Sequence, residues 1–206
     1  MNSPPWIKIA ARLGIVGPPF FGAVILLLTI LKHDFLLSLG WHPLHAPTLD
    51  WPSGLAFGEY GWIMTAAFIL GGLMLVLFAS GLRPALPRLR SAMMGTRLLS
   101  LAGFALAGLA FTADPTIRST PATWHGRLHD LSFVLLGVTL MPSMLVLGFA
   151  FRRSGQWRDL RLYTWGTVSL AVPAFWLKGA AFYAFMLAAL AWSEVIAFRL
   201  RSMEMN

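Results

Sequence analysis

The sequence predicts an all-α protein: a polytopic membrane bundle of six transmembrane helices with both termini in the cytoplasm. The chain of 206 residues is 57% hydrophobic and 12% charged, whereas about 25% of the residues of a soluble domain are charged. Its mean hydropathy is +0.70. Six long uncharged stretches follow one another along the chain, and crossing the hydrocarbon of a bilayer takes a helix of about 20 residues.

The predicted spans are continuously apolar, which excludes the alternating pattern of barrel strands. They are expected to be helices, because lipid offers the backbone no hydrogen-bond partner. The first span follows Lys8 and Arg12, as in a signal peptide, but no small-residue cleavage site closes it, so we expect it to be retained. No linker is long enough to separate a second domain from the single membrane domain, residues 1–206. The spans cover residues 13–31, 61–82, 97–113, 129–151, 162–177 and 179–198.

The basic residues predict the orientation, because short cytoplasmic loops carry an excess of Lys and Arg. Four basic residues fall on the outer side: Lys32, Arg118, Arg127 and Lys178. The others fall on the side of both termini: Lys8, Arg12, Arg83, Arg88, Arg90, Arg97, Arg152, Arg153, Arg158, Arg161, Arg199 and Arg201. The net charge of +8 is therefore expected to meet anionic lipid headgroups, and nucleic acid is not expected as a partner. Protein partners are left open.

The longest outer loop, residues 32–60, is expected to cover the bundle as a partly ordered cap. Its prolines forbid one continuous helix, and Trp41, Trp51 and Tyr60 suit the membrane interface. The absence of cysteine excludes disulfides, thiolate metal sites and cysteine nucleophiles. Apart from Asp130 at the start of the fourth span, Glu194 is the one acidic residue within the spans, and we expect it to snorkel or to pair with Arg199.

A polar cluster lies between the third and fourth spans, in "TADPTIRSTPATWHGRLHD", residues 112–130. Thr120 and Pro121 resemble an N-cap and first helical residue, which predicts a helix from about 121. His125 and His129 then lie four residues apart on one helical face. This spacing allows two imidazoles to share a metal ion, as in HExxH, although the glutamate is missing here.

Two aspartates complete the predicted metal or catalytic site. Asp114 is a candidate third ligand and catalytic residue, reaching across from the end of the third span. Asp130 lies about 100° round the helix, which suits a general base, a histidine-orienting role or an ion pair with Arg127 or Arg118. The competing interpretation is structural: such residues at a helix end also serve as caps and hydrogen-bond partners.

The chain resembles the domain-of-unknown-function 998 (DUF998) family of six-span bacterial and archaeal membrane proteins. The resemblance rests on Pro43 with Leu44, "YGW" at 60–62, Gly71 with Gly72, Phe111 with Asp114 and Pro115, and "HGRLHD" at 125–130. Thr112 stands where the family usually has proline, and "HAPTLDWPSGLAF" departs from its first loop. The resemblance implies a multi-pass protein of the bacterial inner membrane in which Asp114, His125, His129 and Asp130 form one site.

Three functions are compared on this basis. The first is a metal-assisted hydrolase or transferase for a lipid or lipid-linked substrate, with His125, His129 and Asp114 holding a divalent ion such as zinc. The alternative is a non-catalytic protein that binds lipids or small molecules, or an accessory subunit, in which the cluster fastens the outer loops. Haem-based electron transfer is disfavoured, because two histidines on one helical face cannot bind opposite sides of one haem.

Overall fold

The computed structural model describes residues 5–116, 121–177 and 180–203. These residues form α-helices and one short 3-10 turn, with no strand among them. The helices are α1 (Pro5–Leu31), α2 (His33–Ser38), α3 (Gly61–Ala85), α4 (Arg90–Gly108), α5 (Trp124–Arg152), α6 (Leu160–Ser169), α7 (Ala171–Leu177) and α8 (Ala180–Ser202), and the 3-10 turn is Ser53–Ala56.

Within these ranges, four helices are long and apolar enough to cross a membrane: α1, α3, α5 and α8. They correspond to the first, second, fourth and sixth predicted spans. The third corresponds to α4, which begins at Arg90 rather than 97 and ends at Gly108 rather than 113. The fifth is divided between α6 and α7. The all-helical class is thus confirmed, while the six-span arrangement and the orientation stay predictions.

The long helices pack side by side in a ring. Contacts run from α1 to α3, α4, α5 and α6 in succession, and α8 closes the ring by contacting both α6 and α1. One core cluster joins the start of α1 and the end of α8 to the loops at residues 86–89 and 153–159. A second joins the end of α1 to residues 32–60 and to Leu109. We call these two ends of the bundle the basic end and the cap end.

Small residues bring α3 and α4 into close contact, as is common between membrane helices. A Cβ atom at Gly72 would lie 2.4 Å from the carbonyl oxygen of Gly103 and 2.6 Å from the backbone nitrogen of Ala107. Backbone therefore meets backbone at this crossing, and no other residue type fits there without moving a helix.

The cap is built from α2, the 3-10 turn and two buried tryptophans. Trp41 and Trp51 stack with ring centroids 6.2 Å apart, and both are buried. Their indole N–H groups donate to the carbonyl of Pro47 (3.0 Å) and the hydroxyl of Thr29 (2.9 Å). The prediction that these rings face the membrane interface is therefore wrong, because they form the core that attaches the loop to the bundle. Tyr60, in contrast, is exposed.

Proline explains the division between α6 and α7. Pro173 has no N–H group to donate to the carbonyl of Ser169, the last residue of α6, and its ring crowds that carbonyl. The fifth span is therefore interrupted just before this proline. Pro18 and Pro19 lie within α1, and Pro142 lies within α5, both of which continue past them.

Candidate functional site

Helix α5 begins three residues later than the sequence predicts, and this changes the surroundings of the cluster. Its first residue is Trp124 and its N-cap is Thr123, whose hydroxyl accepts a hydrogen bond from the backbone N–H of Gly126 at 3.1 Å. Pro121 thus precedes the helix, and Thr120, the predicted cap, lies outside the described residues. Thr123 has the extended backbone of a cap residue, whose hydroxyl can reach the unpaired N–H groups of the first turn.

His129 is buried, with 4% of its surface exposed. Its Nδ1 lies 2.8 Å from the carbonyl oxygen of Phe111 and 3.1 Å from that of Leu109. A carbonyl only accepts hydrogen bonds, so Nδ1 carries the proton and donates it. These carbonyls follow the last residue of α4, where the helix offers no partner. His129 therefore caps the end of α4 from within α5.

The other ring nitrogen of His129 contacts the first outer loop. Nε2 lies 2.9 Å from Oγ of Ser53, in the 3-10 turn. With Nδ1 protonated, a neutral imidazole accepts this hydrogen bond from the serine hydroxyl. The ring also meets the edge of Phe68 at a centroid distance of 6.5 Å. One side chain thus joins α4, α5 and the cap.

Asp114 binds the N-terminus of α5 with both carboxylate oxygens. Oδ2 accepts from the backbone N–H of Thr123 at 2.7 Å, and Oδ1 accepts from the Thr123 hydroxyl at 2.8 Å. The positive end of the helix dipole favours a carboxylate at this position. The carboxylate lies so close to the helix that a Cβ atom at Gly126 would be 2.0 Å from Oδ2. The glycine of "HGRLHD" is therefore needed for Asp114 to approach.

Asp50 and Thr116 also attach the cap, and the sequence analysis identified neither of them as functional. Asp50 accepts hydrogen bonds from Thr116 through its backbone N–H (2.9 Å) and its hydroxyl (2.5 Å). Asp50 has a left-handed backbone, with φ of 48°, which aspartate tolerates better than most residues. The three hydrogen-bonded pairs Asp50–Thr116, Ser53–His129 and Asp114–Thr123 are together called the polar network. The only local signal was the turn-forming composition of "DWPS".

Lys32, which directly follows α1, holds the part of the cap that contains Ser53. It is buried, and its Nζ donates to the carbonyl of Leu55 at 3.0 Å and to the carbonyl of Phe57. Burial lowers the pKa of this ammonium group, and the charge of Glu59 opposes that effect. Because its acceptors lie within and just after the 3-10 turn, Lys32 fixes the segment that presents Ser53 to His129.

The remaining predicted site residues are exposed, unlike His129. His125 and Asp130 are exposed, and His125 lies against the ring of Trp124 at a centroid distance of 3.8 Å. No ion pair joins Asp130 to Arg127 in the part of the chain that the structure describes, and Arg118 lies outside it. The two histidines are therefore in different surroundings, although they share one face of a helix.

The predicted metal site stays a prediction. Over residues 5–116, 121–177 and 180–203, no three His, Asp or Glu side chains are grouped closely enough to hold an ion. For His129 to become a ligand, Ser53 would have to leave Nε2, since Nδ1 already donates to two carbonyls. Asp114 could offer only the second lone pair of each oxygen, since each already accepts a hydrogen bond from Thr123.

At the basic end, Arg199 pairs with Asp159 rather than with Glu194. Its Nη1 lies 3.0 Å from Oδ1 of Asp159, its Nη2 contacts Oδ2, and it also donates to the carbonyl of Gln156. The hydrogen bond from Arg199 lowers the pKa of Asp159. Of the two expectations for Glu194, the pairing with Arg199 is wrong, because Asp159, which immediately precedes α6, pairs with that guanidinium instead. The expectation that Glu194 snorkels stays a prediction.

Four apolar helices in an all-helical bundle define a multi-pass membrane protein, since a helix is the structure that satisfies its own backbone in lipid. The family follows from comparison with known sequences. The chain belongs to the DUF998 family, described as proteins of unknown function, whose sequence model matches residues 15–200. The resemblance carried by the aspartate-proline and "HGRLHD" segments is thus confirmed. Comparisons with curated proteins and with solved structures gave no significant match.

Proposed function

We propose that this chain is a non-catalytic membrane protein that binds a lipid or a small lipid-like molecule, alone or as an accessory subunit. In this proposal the polar network fastens the outer loops to a bundle of six spans. Both termini are cytoplasmic, the cap end faces outward, and the membrane is the bacterial inner membrane.

One observation carries the proposal: the reactive atoms of the best-placed candidates are already engaged with the protein. Both nitrogens of His129 and both oxygens of Asp114 have backbone or hydroxyl partners. A ligand or general base needs a free lone pair toward its metal or substrate. A neutral His129 has none left, whereas each Asp114 oxygen keeps one beside its hydrogen bond from Thr123. The arrangement therefore favours a structural role for His129 and holds Asp114 at the start of α5.

The alternative is a metal-assisted hydrolase or transferase. Substituting each of the two histidines distinguishes the two hypotheses. If both hold one ion, replacing either should release it. If His129 is a cap and His125 is an exposed residue, the two substitutions should have very different effects on stability and none on metal content.

The experiment measures metal content and unfolding of detergent-purified wild type, His125→Ala and His129→Ala. We expect His129→Ala to lose about 2 kcal/mol or more, because it leaves the buried carbonyl of Leu109 and the partly buried carbonyl of Phe111 unpaired, and an unpaired buried carbonyl costs about 1–3 kcal/mol. His125→Ala should change stability by less than about 0.5 kcal/mol, as at most exposed positions. Roughly stoichiometric metal in the wild type, lost equally in both variants, would overturn the proposal in favour of the enzyme.

A further inference from the structure

A groove of about 890 Å³ lies at the basic end, between the start of α4 and the end of α5. Four arginines line it: Arg88, Arg90, Arg152 and Arg153. All four are exposed. In the part of the chain that the structure describes, no carboxylate lies within ion-pair distance of any of them. The groove therefore has a concentrated positive charge without a counter-charge from the described protein.

The start of α4 adds to this charge. Leu89, its N-cap, has no side chain that can accept from the first N–H groups of the helix. A helix of 19 residues carries about half a positive charge at its N-terminus, shared among those N–H groups. Together with the arginine forks, they form the donor set that favours a phosphate.

The part of the groove nearer the middle of the bundle is apolar. Met94, Val146 and Phe149 line it, and Met94 and Phe149 are more than half exposed. On α5, Phe149 lies three residues before Arg152 and four before Arg153, so these side chains share one helical face. Likewise Met94 follows Arg90 by four residues on α4. Along both helices the lining changes from charged to apolar toward the middle of the bundle.

Residues next to the groove lining bring α4 and α5 into close contact. The hydroxyl of Ser143 donates to the carbonyl of Gly95 at 2.8 Å, and a Cβ atom at Gly95 would lie 2.7 Å from Leu147. Helices α4 and α5 therefore cannot approach each other more closely at this point. The groove is a lasting feature of their packing.

We propose that this groove binds an anionic phospholipid. The four arginines and the first N–H groups of α4 hold its phosphate, and one acyl chain lies along Met94, Val146 and Phe149. A soluble anion would leave the apolar part exposed, whereas a lipid matches both parts of the lining. This inference rests on the proposed function for the ligand class, lipid, and it specifies the charge, the leaflet and the residues.

The test compares binding of phosphatidylglycerol and of phosphatidylcholine with the same acyl chains, titrated into the purified full chain in neutral detergent. Bound lipid is counted by native mass spectrometry. We expect one phosphatidylglycerol per chain to bind about tenfold more tightly than phosphatidylcholine, since each tenfold corresponds to about 1.4 kcal/mol. Glycerol 3-phosphate, a headgroup without chains, should bind much more weakly.

Matched variants separate a site from general surface charge. Arg152→Gln with Arg153→Gln should reduce phosphatidylglycerol affinity about tenfold. Arg83→Gln with Arg201→Gln removes the same charge from exposed positions outside the groove and should leave the affinity within about twofold. All four residues are exposed, so both variants should fold, which an unfolding curve verifies.

Three results would overturn the inference: equal binding of the two lipids, equal loss in the two double variants, or glycerol 3-phosphate binding as tightly as phosphatidylglycerol. The last would identify a site for free phosphate compounds instead. None of these results depends on the metal content of the cap end. A failure of the lipid site is therefore distinguishable from a failure of the proposed function.

Discussion

His125 and His129 lie four residues apart on one helix, yet they have different roles. The spacing correctly places both on one face of α5, and it suggested a shared ligand. Because α5 begins only at Trp124, His125 lies in an exposed first turn. His129 lies one turn deeper, where the end of α4 and the 3-10 turn enclose it. The difference depends on where the helix begins and on contacts distant in sequence, which spacing does not contain.

Gly126 provides a test of Asp114 as a cap. Alanine normally stabilises a helix over glycine by about 1 kcal/mol, but here the added Cβ would lie 2.0 Å from the Asp114 carboxylate. Gly126→Ala should displace that carboxylate and cost about 1–2 kcal/mol, as the loss of a helix cap does. Chemical unfolding in detergent measures it.

Gly137 is the matched control, since it lies in the same helix and a Cβ there would only reach the flexible end of Met141 at 3.5 Å. Gly137→Ala should be neutral or stabilising by up to about 1 kcal/mol. Equal stability of the two alanine variants would contradict the account of Asp114.

At the scale of elements, apolar composition predicted that helices exist but not where all of them end. The third span was expected to reach residue 113, because residues 109–113 are nearly all apolar. It ends at Gly108, and His129 satisfies the carbonyls that follow. The end of α4 is thus stabilised by a side chain of another helix, α5. By contrast, the interruption before Pro173 was predictable, because its cause is local.

The cap illustrates the same limit. Its prolines correctly predicted that no single helix covers residues 32–60. The tryptophans were assigned to the interface from residue type alone, yet Trp51 lies edge-on against Tyr183 of α8, with ring centroids 5.0 Å apart. A contact across more than a hundred residues has no signature in the local pattern. Ser53 and Lys32 went unrecognised as parts of the candidate site for the same reason.

At the scale of the whole molecule, the two ends of the bundle differ in charge and in the contacts that their loops make. The basic end carries the arginine-rich loops and the proposed lipid groove. The cap end carries the polar network, joined to the bundle by buried aromatic rings. If arginine-rich loops face the cytoplasm, the lipid groove faces the inner leaflet and the polar network faces outward.

The orientation can be tested directly because the chain has no cysteine. Leu44 in the cap is 88% exposed, and Gly155 at the basic end is exposed, with open space where a side chain would begin. A membrane-impermeant maleimide should label Leu44→Cys in intact cells, and Gly155→Cys only after permeabilisation. The reverse pattern would contradict the proposed topology, and the unsubstituted chain is the unlabelled control.

The central claim is that the polar network joins the cap to the bundle, and the contact between Ser53 and His129 tests it most directly. His129→Asn keeps an amide N–H near the position of Nδ1 but removes the acceptor that Ser53 uses. A double-mutant cycle with Ser53→Ala isolates this one contact from the capping of α4. The matched cycle pairs Ser53→Ala with His125→Ala.

The measurement is the free energy of unfolding of the four proteins in each cycle. We predict a coupling free energy of about 1 kcal/mol between Ser53 and His129, which is the usual net contribution of one hydrogen bond to stability. Ser53 and His125 should be additive to within about 0.5 kcal/mol, as independent sites are. Additivity in both cycles would contradict the claim that the polar network fastens the cap.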